Sequence, residues 1–181
     1  MSIENFVNEL KLLAPSKDEF QKYNVPESYI KEHIERYLFF PRVNAQTNIN
    51  TNDPILSLLQ DYDSSKIGIG NLSFATKAIE YTDYYQIGKV EIDVLALNKI
   101  TLEIEVRDHD SLSHIIWPCA ANSNSFLDAL LICARHLRAI FKNPSLDDDS
   151  IYVFEVVKSC AEKAGGEKYI DFYKMLLGYF D

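Results

Sequence analysis

The stretch from Val90 to Asp110, "VEIDVLALNKITLEIEVRDHD", alternates apolar and polar side chains with a period of two. Successive side chains of a strand point to opposite faces, so this pattern reads as half-buried strands. Ile100, Leu102, Ile104 and Val106 take one face, and Thr101, Glu103, Glu105 and Arg107 take the other. Upstream, Val90, Ile92 and Val94 alternate with Glu91 and Asp93. Asn98-Lys99, between the two runs, is placed to form the tight connection of an antiparallel hairpin. A sheet built this way has one apolar face to cover and one face carrying Glu91, Asp93, Glu103 and Glu105, with Asp108 and Asp110 at the strand end.

The apolar face needs helices, and the flanking sequence supplies them. Ile3, Phe6, Val7, Leu10 and Leu13 form a helical stripe that Pro15 stops. "VPESYIKEHIERYLFF" reads as a second helix, running from Pro26 to just before Pro41. "DPILSLLQDY" places Asp53 as a cap and Pro54 at the first helical position. Between them, residues 42 to 53 are polar and Asn-rich and read as a loop. Residues 122 to 125, "NSNS", can accept hydrogen bonds from the free amides of a helix start. In that helix Phe126, Ala129, Leu130, Cys133, Leu137, Ile140 and Phe141 share a face, leaving Asp128, Arg135, His136 and Arg138 for solvent. "SIYVFEVVKSCAEKA" follows three acids and stops at Gly165-Gly166, and a last helix carries Tyr169, Phe172, Tyr173, Leu176 and Phe180. "HIIWP" reads as an edge strand whose pairing Pro118 ends. No linker or repeat divides the 181 residues, and 1–181 is expected to be one domain.

Charge narrows the function. The 27 acidic residues against 18 basic ones give a formal charge of -9, a field that repels nucleic-acid phosphates and anionic lipid heads and favours a basic protein partner. Three dispersed cysteines form no framework, and the amino terminus has neither a basic run nor a long apolar core, so a cytoplasmic location is expected.

Candidate reaction centres are poorly supported. Cys119 and His136 are separated by a turn and about three helical turns, too far for a nucleophile and its base. "DHDSLSH" groups Asp108, His109, Asp110 and His114, but the spacing matches no zinc signature and reads as a polar turn. "LDDDS" lacks the twelve-residue calcium loop, and "GIG" lacks the fingerprints of a phosphate-binding loop. No metal, cofactor or catalytic residue is therefore expected. For the carboxylate row, three readings stay open: a solvated face, a contact surface for a basic partner, and paired-carboxylate acid/base chemistry.

Four phrases, "VPESYIKEHI", "KIGIGNLSF", "EIEVRDHDS" and "SFLDALL", occur in an order that resembles the SUKH superfamily, which includes bacterial immunity proteins and fungal regulators of cell-wall assembly. The resemblance implies an α+β fold, a central antiparallel sheet flanked by helices, and binding without catalysis. It implies an immunity protein that blocks a basic, nuclease-type toxin. Charge and alternation make Glu91, Asp93, Glu103, Glu105, Asp108 and Asp110 the expected contact residues. The alternative is a regulatory or scaffold protein that holds its partner in an apolar groove.

Overall fold

The computed structural model describes residues 2–43 and 52–180. Helix α1 spans Ile3–Leu12 and buries Phe6, Val7 and Leu10, with the Ser2 hydroxyl accepting from the Asn5 amide. Helix α2, Glu27–Glu35, ends earlier than its sequence predicts, because Phe40–Pro41 instead forms strand β1, paired with β2 at Tyr62–Asp63. Helix α3 is Pro54–Asp61, and one Asp53 carboxylate oxygen accepts from the Ile55 and Leu56 amides at 2.9 and 3.1 Å. Most of the expected Asn-rich loop lies outside the described residues.

The remaining strands are β3 (Gly68–Ile69), β4 (Leu72–Glu80), β5 (Tyr84–Val90), β6 (Asp93–Asn98), β7 (Ile104–Arg107) and β8 (Ile115–Ala120). They pair in chain order, all antiparallel, as one curled six-stranded meander. Helix α4 (Ser123–Lys142), capped by Asn122, lies beside α5 (Ser150–Ala164), and α6 (Ile170–Leu176) completes the helical layer. This is an α+β fold. Leu95, Leu97, Ile104 and Val106 on the sheet share one buried cluster with Phe126, Leu130, Val157 and Phe172 on the helices.

Three strand expectations need correction. Val90 pairs with Asp93, so Glu91 and Ile92 are a two-residue turn and not part of a strand; Glu91 there adopts a φ of 55° and Ile92 projects into solvent. Leu97 pairs with Ile104, so the next connection runs from Lys99 to Glu103 instead of closing at Asn98-Lys99. The Asn98 side-chain oxygen accepts from the Ile100 and Thr101 amides, stabilising this longer turn, and Ile100 and Leu102 point outward at 84% and 56% exposure. Finally, Pro118 does not end pairing, because it stands opposite Glu105 in β8. A proline fits there since β8 is an edge strand of the sheet, with one side free of a ladder partner among the described residues.

His136 is also misplaced by periodicity. It is only 3% exposed, its ring lies 5.5 Å from that of Tyr152, and neither ring nitrogen has a hydrogen-bond partner among the described residues. Burial lowers its pKa, with Asp147 opposing weakly. An imidazole that is harder to protonate when folded takes up its proton preferentially on unfolding. Its stabilising contribution is therefore complete above the free value of about 6.5 and is lost as pH falls below it. Between about pH 7.5 and 5.5 the thermal midpoint of the wild type should fall relative to that of His136→Phe, as His109, whose pKa is raised, contributes equally to both; an equal pH dependence of the two would contradict this role.

Candidate functional site

The six carboxylates expected to form a row are distributed by the actual register into three environments. Glu105 stands opposite Ala96, on the face turned away from the helical core, yet it is only 3% exposed. The Arg107 guanidinium donates to its Oε1 from Nε at 2.7 Å and pairs with it from a terminal nitrogen at 2.6 Å. The same guanidinium donates to Asp83 at 2.8 Å and to the Leu112 carbonyl at 3.1 Å, and it lies 4.2 Å from the Tyr84 ring centre. The chain thus folds its own loop and turn over this pair. Glu105 is a structural anion here, which corrects its assignment to an exposed contact surface.

Glu103 sits at the end of the sheet near the β6–β7 turn. It accepts from the Tyr169 hydroxyl at 2.8 Å and from Lys168, whose ammonium holds its carboxyl below the usual range. Desolvation, with the Glu103 charge beside it, pushes Tyr169 up to about 12. Glu103 therefore ties the sheet to the short helical turn before α6, and its charge is locally compensated.

The other four acids gather at the opposite end. Asp93 begins β6 and meets the segment that follows β7: its Oδ1 accepts from the His109 amide at 3.1 Å and lies 2.7 Å from His109 Nδ1. Asp108 accepts from the Asp110 amide at 2.8 Å, and Asp110 Oδ2 lies 3.5 Å from His109 Nε2. Hydrogen bonding to Asp93, with Asp110 and Asp108 nearby, raises the His109 pKa, and the His109 contact lowers that of Asp93. Glu91 occupies the adjacent β5–β6 turn, exposed, where it accepts from the Asn71 amide group at 3.2 Å.

A two-residue turn at Asn98-Lys99 would have placed Leu97 opposite Ile100 and Asp93 near Ile104. The observed turn moves the register by four residues, which preserves the alternation of faces but brings Asp93 to Asp108. That meeting is the part of the site the sequence pattern could not locate.

Two further features matter. Cys119 is fully buried, and desolvation pushes its thiol well above its ordinary value, which keeps it protonated and unreactive. Between α2 and α4 lies a cleft of about 290 Å³ lined by His33, Arg36, Tyr37, Leu137, Ile140 and Phe141, its floor held by a 2.8 Å hydrogen bond from Arg36 to the Gly70 carbonyl.

No family model, curated protein or solved structure matches the chain. Among the described residues, no helix is long and apolar enough to cross a membrane.

Proposed function

We propose that this chain is a non-enzymatic, cytoplasmic binding protein that neutralises a basic protein, with a nuclease-type toxin as the fitting partner. The reading is carried by the convergence of Glu91, Asp93, Asp108 and Asp110 at one end of the sheet, in a chain whose formal charge is -9. A nuclease holds phosphates with a basic site, and carboxylates gathered in the turn and loop at one end of the sheet can imitate the charge of those phosphates. The contact surface is narrower than the sequence row: Glu91 and Asp110 are its most exposed carboxylates, while Glu103 and Glu105 are committed to internal partners. The order of SUKH-like phrases supports the immunity role.

The test is recovery of a partner from the native host with the wild-type chain and with the Glu91→Lys/Asp110→Lys double variant. Charge reversal should weaken binding by about tenfold or more, and rising salt should weaken the wild-type complex progressively. Unchanged affinity on reversal would exclude this surface.

A second reading, a regulatory or scaffold protein with an apolar contact, is favoured by the exposed Ile100 and Leu102. Leu102 holds a φ of 62°, a strained value for a bulky side chain, while keeping that side chain in solvent. Binding that survives high salt and is lost in Ile100→Asp/Leu102→Asp identifies this reading.

A further inference from the structure

We infer that Asp93, Asp108 and His109 form a site for a divalent transition-metal ion. One donor atom from each, two carboxylate oxygens and an imidazole nitrogen, lie within 4.8 Å of one another. Ligand atoms around a tetrahedral zinc, each about 2.0–2.2 Å from the metal, stand roughly 3.3–3.5 Å apart. Here His109 Nδ1 stands 2.7 Å from Asp93 Oδ1 and 3.9 Å from Asp108 Oδ1, so side-chain rotations that part the first pair and draw in Asp108 make room for an ion. Those rotations are sterically available, because the three side chains are 26%, 33% and 41% exposed.

The positions are fixed by the sheet. Asp93 starts β6, and Asp108 and His109 directly follow the end of β7, so the Val94–Arg107 pair sets where the two chain segments meet. Asp93 uses Oδ1 for both hydrogen bonds to His109, and Asp108 uses Oδ1 for the Asp110 amide; a carboxylate has lone pairs enough to add a metal bond. In the metal complex the ion takes the place of the Nδ1 proton, which passes to solvent. The ring then keeps its proton on Nε2, the nitrogen that faces Asp110 at 3.5 Å. At that separation Asp110 is an electrostatic neighbour of the ring, and a closer approach would give the carboxylate support usual for a ligating imidazole.

Imidazole with two carboxylates selects zinc, manganese or iron(II) over calcium and magnesium, which prefer all-oxygen shells. Three protein ligands leave coordination positions for water or for a side chain of a bound partner. The inference does not depend on the docking role proposed above, since the site is complete within one chain.

The test is calorimetric titration of the metal-free full chain with Zn2+ alone, without a partner. The expected result is saturable one-to-one binding that weakens at least about tenfold in His109→Ala and in Asp93→Asn. His109→Gln, which retains bulk, should weaken it similarly, and Asp148→Asn should leave it unchanged. Thermal unfolding of each variant without metal distinguishes lost ligation from lost fold. Absence of saturable binding, equal affinity in the His109 variants, or equal binding of Mg2+ would overturn the assignment. Because no partner is present, failure of the metal site and failure of the docking surface are separately visible.

Discussion

Arg107→Ala is expected to lower the free energy of unfolding by about 3–5 kcal/mol, the range for removing one partner of a buried ion pair. The side chains of Arg107 and Glu105 are 6% and 3% exposed, so truncation leaves the Glu105 charge desolvated with, among the described residues, the weak 3.4 Å contact from Asn98. It also removes the link to Asp83 and the cation over Tyr84. The Arg107→Met/Glu105→Leu double variant should recover most of the loss, because similar apolar volume replaces both charges. Urea unfolding measures both. A loss below about 1 kcal/mol for Arg107→Ala, the scale of an exposed pair, would show that the site is wetter than its packing indicates.

Phe126→Ala is expected to cost about 3–5 kcal/mol through lost burial and the cavity left behind. Phe126 is 0% exposed in the first turn of α4, with its ring 6.3 Å from that of Phe172, inside the buried cluster that sheet and helices share. Phe180→Ala, at a position 87% exposed, should change stability by no more than about 0.5 kcal/mol. Comparable losses at the two positions would contradict the arrangement of the core.

Local signals in the sequence identified the features that are locally determined. Asp53 and Asn122 cap the helices that follow them, as their side-chain chemistry requires, and Gly165 ends α5. The alternation of Ile104 to Arg107 gives the two faces of β7 correctly. It does not say what covers the polar face, and the burial of Glu105 depends on the distant 81–84 turn and the loop after Asp108. Nor does periodicity fix turn length: Asn98 supports a longer turn through its own side chain, and the resulting register unites Asp93 with His109. His136 shows the same limit on a helix. It lies three positions after Cys133 and one before Leu137, at the edge of the apolar stripe, and the ring of Tyr152 on α5 lies against it.

The proposed function requires the partner to dock on the carboxylate end of the sheet. Amide hydrogen exchange, comparing the free chain with the complex recovered from the native host, tests this most directly. Slower exchange confined to residues 91–93 and 108–114, with 98–103 unchanged, is the predicted footprint. Protection of 98–103 or of the α2–α4 cleft, with free exchange at 91–93, would contradict docking through the carboxylate end of the sheet.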